Sequence, residues 1–491
     1  MRRPGKSLLA VSGLLLLGAG ASAALGPPSS TVARTPDRPP VPVARTGAVC
    51  PEPIDAPGAQ TQVGLAAPGL GGAPARRGEA ELAPLPRPGA PVATVTARSG
   101  AAAAVVPVAP SSPALVGQAT AGLAPGFAAA IATRTPDGDL RGLAGTACVA
   151  AGTDFWFVGS GAEVGQRGRL YLTNPESAPA LVDVTLYGPA GEIDAPMGRG
   201  VAVAAGGQEV LLLDALAPAI PRFGVHVQVR QGRVAAALRD TQIRGLDPLG
   251  VDWVPVAAAP RRRVVLPGVP AGPGARQLQV LAPGDSDAIV RVRLLAADGS
   301  FVPAGLDVIE VPAGSVAEVD LAPHAREEGV GVELTADAPV TAGVLARVGA
   351  DGEQPEIAYT AAVLPLRDQA PGVVALAGVA GGPGGQLLLA APAGDASVLV
   401  SPILPATGTA TTVDVPSGSQ VSVDLSTISE AATFAVTVAP AAGSGPVFAS
   451  TALAETDQRG PLLTMSTLPP GRYLVRVPAV SADLSTGLRG S

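Results

Sequence analysis

A pattern of strands and turns returns about every 107 residues along this 491-residue chain, and that period bounds what it can fold into. Three copies carry the same turn between two valine-rich runs: V-A-A-G at Val203–Gly206, V-P-A-G at Val311–Gly314 and V-P-S-G at Val415–Gly418. The glycines lie 108 and 104 residues apart, and Gly100 marks a fainter fourth copy 106 residues before Gly206. Other landmarks keep the phase. Hairpin signals stand at Gly191, Gly299 and Gly408, and alternating runs begin at Phe127, Val234, Val340 and Val447. Self-similarity at one fixed period is the mark of a unit copied in tandem.

Within each copy, seven or eight short runs alternate apolar and polar residues, as in LVDVTLYG, VHVQVR and AIVRVRLL. Val, Ile and Thr dominate these runs, and Gly, Pro, Asp and Asn separate them, which is the writing of strands and turns. No segment sustains a capped helical period. About 105 residues with this texture predict an all-β chain of about four tandem immunoglobulin-like β-sandwiches. The alternative is a closed β-propeller-like ring, although propeller blades usually take only about 40–50 residues; four sandwiches strung in a row are the expectation. The boundaries read as 49–151, 152–262, 263–371 and 372–480, with a flexible tail at 481–491. The 62 glycines and 52 prolines that bring the chain near low complexity are then mostly turn punctuation.

The first 23 residues have the plan of a secretory signal: Arg2, Arg3 and Lys6, an apolar run from Leu8 to Ala19, and the small residues Ala21-Ser22-Ala23. A proline-rich spacer follows at 24–48. The protein is therefore expected outside the cytoplasm, secreted or in the cell envelope. It would touch a membrane only if the signal stays uncleaved as an anchor. Its net charge of −7 argues against nucleic acid as a partner.

Chemistry is thinly represented. There are two histidines, His226 and His324, at different phases of different copies. Leu404-Pro-Ala-Thr-Gly408 spells a sortase pentapeptide but stands some 80 residues from the C-terminus, in phase with the hairpin turns. Gly284-Asp-Ser286 begins like an esterase box but aligns with surface turns. The Asp-Gly-Asp fragment at 137–139 does not reach a calcium-loop pattern. No catalytic, cofactor-binding or metal-ligating residue is assigned, and no cofactor is expected. Cys50 and Cys148, at opposite ends of the first copy in an exported chain, are expected to form one disulfide. Trp156 and Trp253 belong to the scarce aromatics, 3% of the chain. They are read as core or inter-domain packing, with ligand contact as the alternative.

The segment Leu170–Ile193 (LYLTNPESAPALVDVTLYGPAGEI), the VPAGS and VPSGS turns and an early cysteine resemble an actinobacterial family of exported proteins catalogued as a domain of unknown function. The resemblance covers roughly residues 45–480 and implies location and architecture without catalytic residues. The expected role is a non-enzymatic cell-envelope protein, an interaction scaffold or spacer binding an unknown envelope protein or wall polymer. A cell-wall polysaccharide-binding protein using the Trp156 region is the alternative.

Overall fold

The computed structural model describes residues 39–69, 77–86, 90–96, 99–108, 112–325, 327–378 and 385–477. The expected signal segment 1–23, most of the expected spacer and the expected 481–491 tail lie outside these residues. Residues 42–474 form one compact unit. The other unit, 1–41 with 475–491, contributes only the short segments 39–41 and 475–477 to the description.

Within residues 42–474 the chain builds four two-sheet β-sandwiches from antiparallel strands. Among the described residues no sheet closes into a barrel or forms a propeller blade. The second sandwich shows why the alternating runs fold this way. In Ala180–Gly188 the residues Ala180, Val182, Val184 and Leu186 point inward, and Leu181, Asp183 and Thr185 do not. Val225, Val227 and Val229 of Gly224–Gln231 bury the same face beside them. Phe157, Leu170, Leu172 and Leu238 complete the core from both sheets. Burying one such side chain fully is worth about 1.5–3 kcal/mol.

The repeated landmarks have physical causes. Gly206, Gly314 and Gly418 have φ of +63°, +65° and +80°, a left-handed conformation that a Cβ penalises. Each sits where the chain arches from a strand of one sheet (Val201–Val203, Val308–Val311, Thr411–Val415) into a strand of the other (Gln208–Leu212, Ser315–Asp320, Ser419–Asp424). Leu404–Gly408 lies in the connection between the paired strands Ala396–Pro402 and Thr411–Val415, a hairpin link as its phase predicts. In the third sandwich one 19-residue strand, Val330–Val348, runs through both sheets. Its first part pairs with Arg261–Val269 and Ala288–Ala296, its second with Arg276–Ala282 and Glu356–Ala361.

The expectation of four sandwiches in a row is corrected by the packing. The first sandwich meets the second, the second the third and the third the fourth, and the fourth returns to the first. At that closing junction Ala132 and Leu143 pack with Leu376, Leu453 and Leu462. Arg141 Nη2 donates to Asp457 Oδ1 at 2.8 Å, and Arg134 pairs with Glu455. Closure needs small residues, because backbone meets backbone: a Cβ added at Gly64 would overlap the Ala375 carbonyl. Gly64→Val is therefore expected to loosen this junction alone, costing roughly 1–3 kcal/mol as overpacking does. Hydrogen exchange should quicken at residues 373–376 and stay unchanged within the third sandwich.

Arg276 is a second local determinant. Its buried guanidinium donates to the carbonyls of Pro270 and Ala271 at 2.7 Å and of Ala275 and Arg347 at 2.9 Å, tying down the 270–275 loop. Burial without a carboxylate partner pulls its pKa down to about 10. Arg276→Met keeps the stem and leaves those carbonyls without donors. A loss of about 2–4 kcal/mol is expected in urea unfolding, at the upper range of broken buried networks.

Candidate functional site

The four sandwiches meet through equivalent strands, the last of each copy: Gly142–Ala147, Asp247–Val254, Glu356–Ala361 and Pro461–Leu468. Glu356–Ala361 is buried at every residue, and the others are buried over most of their length, because both faces are covered. At one register position these strands carry Gly145, Trp253, Tyr359 and Met465, each opposite the preceding strand at Ala132, Arg239, Leu345 and Ala452. The side chain at that position differs from junction to junction. Trp253 packs with Tyr171, Ile54 and Ala144 between the first and second sandwiches. Tyr359 enters the core of the second, and Met465 packs with Leu388, Val348 and Ala358 between the third and fourth. Gly145 lets Thr464 come against the strand where the ring closes.

Buried carboxylates hold the centre. Glu356 accepts from the backbone amides of Leu143 (2.9 Å), Val251 (3.2 Å) and Ile357 (3.0 Å), so one side chain joins the first, second and third sandwiches. Asp252 accepts from the Thr464 hydroxyl at 2.7 Å and the Tyr359 amide at 3.2 Å, joining the second to the fourth and third. Asp240 accepts from the Tyr359 hydroxyl (2.6 Å), Ser160 (2.8 Å) and Gln242 (2.8 Å). Loss of water pushes the Glu356 and Asp252 carboxyls well above the usual carboxylate range, and their mutual repulsion adds to the rise at Glu356. The donors pull both back only in part. Asp240 is raised by the same desolvation, and the Tyr359 hydroxyl is pushed up by burial and by Asp240.

Beside this centre is a pocket of about 520 Å³ whose walls come from all four sandwiches. Gly145 and Thr464 line it next to Asp252. Ala129, Ala258, Ala375 and Leu453 give apolar wall, and Thr146, Thr451 and Ser466 add hydroxyls. Asp154 and Arg472 are its charged lining residues. Such a surface suits a mostly apolar ligand that hydrogen-bonds through a few neutral groups.

Of the residues singled out in the sequence, Cys50 and Cys148 form a disulfide that links the two sheets of the first sandwich. The adjoining bridge from Val49 to Val149 runs beside it. Trp156 is buried with one face on His226, ring centroids 3.8 Å apart and planes 9° apart. His226 in turn holds Asp154 at 2.7 Å. Trp253 is 2% exposed and packs against Tyr171, with the Arg239 guanidinium over both rings. A sugar platform needs an open ring face, and neither tryptophan offers one. Asp240, Asp252, Glu356 and Tyr359 do not stand out in the sequence, where Asp252 and Tyr359 each occur within an otherwise apolar run. The available signal is the loss of alternation in those runs, since a strand covered on both faces reads as continuously apolar.

A family model described as a family of unknown function, DUF5719, matches residues 103–412. No curated protein matches significantly. A solved structure titled as the crystal structure of Thermotoga maritima 1070 is 15% identical over 21% of this chain and 91% of that one, with a TM-score of 0.18, too low to bear on the fold.

Proposed function

We propose, from the premise that the chain belongs to DUF5719, a family of unknown function, that it is a non-enzymatic exported protein of the cell envelope acting as an interaction scaffold. The observation that carries this reading is the pocket walled by all four sandwiches: it exists only when the ring is closed, and its lining is chiefly small apolar residues and neutral hydroxyls. Those groups suit holding a partner's segment better than moving protons. The Cys50–Cys148 disulfide is compatible with a site outside the cytoplasm, and among the described residues no helix is long and apolar enough to cross a membrane.

The test is crosslinking in the native host with wild type and with Ala259→Trp, which places a bulky ring among the exposed lining residues of the pocket. An envelope protein recovered with wild type should fall about tenfold with the variant, as loss of a central contact does, while the melting temperature holds. The same recovery from both, or turnover of an envelope polymer by the purified chain, would overturn the proposal.

A further inference from the structure

Where the first and fourth sandwiches meet, one hydroxyl serves both backbone polar groups of Gly145. The Cys148 amide donates to the Ala129 carbonyl at 2.9 Å. Bonded and non-bonded pairs alternate along an antiparallel ladder, so Gly145, opposite Ala132, turns its amide and carbonyl away from that strand. There the Gly145 amide donates to Thr464 Oγ1 at 2.8 Å, and the same oxygen stands 3.2 Å from the Gly145 carbonyl. Asp252 Oδ1 lies 2.7 Å from it. All three residues are buried.

A threonine hydroxyl has one hydrogen and two lone pairs. With Asp252 ionised, that hydrogen can go to the carboxylate or to the carbonyl but not to both. With Asp252 protonated, every group is served. Oδ1 then donates to Oγ1, Oγ1 donates to the Gly145 carbonyl, and the Gly145 amide takes the second lone pair. An O–O distance of 2.7 Å suits a hydrogen running either way.

The charges nearby favour the proton. Asp240 stands opposite Asp252 in the ladder, and Glu356 comes from the neighbouring strand. The Tyr359 hydroxyl is turned to Asp240, and Arg239 lies over Tyr171 and Trp253. Arg141 is held by Asp457. Neither Gly142–Ala147 nor Pro461–Leu468 brings a titratable side chain. Loss of water pushes the Asp252 carboxyl well above its usual range.

We propose that the closed ring carries a proton on Asp252, relayed through Thr464 to the Gly145 carbonyl, and that losing it loosens this wall of the shared pocket, so that pH regulates the pocket's hold on a partner. Gly145, Thr146, Thr464 and Ser466 all line that pocket. The proton is held at low pH and lost as pH climbs through the raised value, so the wall is firm in acid and loose in base. The regulatory role rests on reading the pocket as a partner's site, whereas its test reads the wall with no partner present. A failed partner search and a failed exchange result are therefore distinguishable.

The test is hydrogen exchange of the full chain at about pH 5 and about pH 8, corrected for the intrinsic rate. Protection in Gly142–Ala147 and Pro461–Leu468 is expected to fall about tenfold between the two, as one buried carbonyl losing its donor implies. Ala288–Ala296 in the third sandwich should not change. Asp252→Asn puts an amide donor where the proton would be, and should hold protection level across that range. Glu356 is present in both chains, so the difference between them isolates Asp252. Thr464→Val, which removes the relay, should exchange fast at both pH values. An equal loss of protection in wild type and Asp252→Asn would overturn the proposal. A Thr464→Val chain that keeps the wild-type pH response would overturn it too.

Discussion

Glu356→Ala is expected to lower the unfolding free energy by roughly 3–5 kcal/mol, since each buried group left unpaired costs about 1–3 kcal/mol. The amides of Leu143, Val251 and Ile357 lose their acceptor together, and they belong to three sandwiches. Urea unfolding measures the loss. Hydrogen exchange should place it in the strands Gly142–Ala147 and Asp247–Val254 rather than in the outer sheets. The same group predicts a direction with pH. Unfolded, Glu356 and Asp252 titrate near the ordinary carboxylate value of about 4; folded, burial holds both well above it. A raised acid leaves stability intact below its unfolded pKa and removes it as pH climbs through the folded one. The protein should therefore melt higher at about pH 5 than at about pH 8. Glu356→Gln, neutral throughout, should flatten that slope. A slope of the opposite sign, unchanged by Glu356→Gln, would show that these carboxyls are not the source.

Cys50→Ser with Cys148→Ser is expected to cost about 4 kcal/mol, within the usual range for closing a loop of this length. The bridge spans 98 residues and joins the two sheets of the first sandwich. That sandwich has a core of alanine, valine and leucine with few large side chains, including Val63, Leu65, Ala67, Ala80 and Leu82. It therefore has little apolar area with which to offset the loss. Calorimetry should show the first sandwich melting earlier, and the closing junction with the fourth should open with it. A single transition displaced by less than about 2 °C would mean that the neighbouring sandwiches already hold the first in place.

The sandwiches were legible because their signals are local. Alternation in Ala180–Gly188 and the positive-φ glycines at 206, 314 and 418 write strand and turn directly into neighbouring residues. The disulfide was legible from position and count. The ring was not, because the contacts that close it lie some 320 residues apart, as between Arg141 and Asp457, and follow no short spacing. Its residues also resemble core. Tyr359 and Met465 read as ordinary inward positions of their own strands, whereas both pack across junctions. Trp156 and Trp253 drew notice as rare aromatics, and packing between elements accounts for both. The buried carboxylates escaped for a related reason: Asp252 within VDWV and Glu356 within PEIAY look like isolated surface charges until a neighbouring copy covers them.

The return of the fourth sandwich to the first also brings the two ends of the folded unit together. The Val43 amide donates to the Tyr473 carbonyl at 3.0 Å, so the chain comes in and goes out at one spot. Val43 and Tyr473, at opposite ends of the folded unit in sequence, are therefore neighbours in space. Four copies in a row would have set those two residues at opposite ends; closed on themselves, the copies bring them into one hydrogen bond.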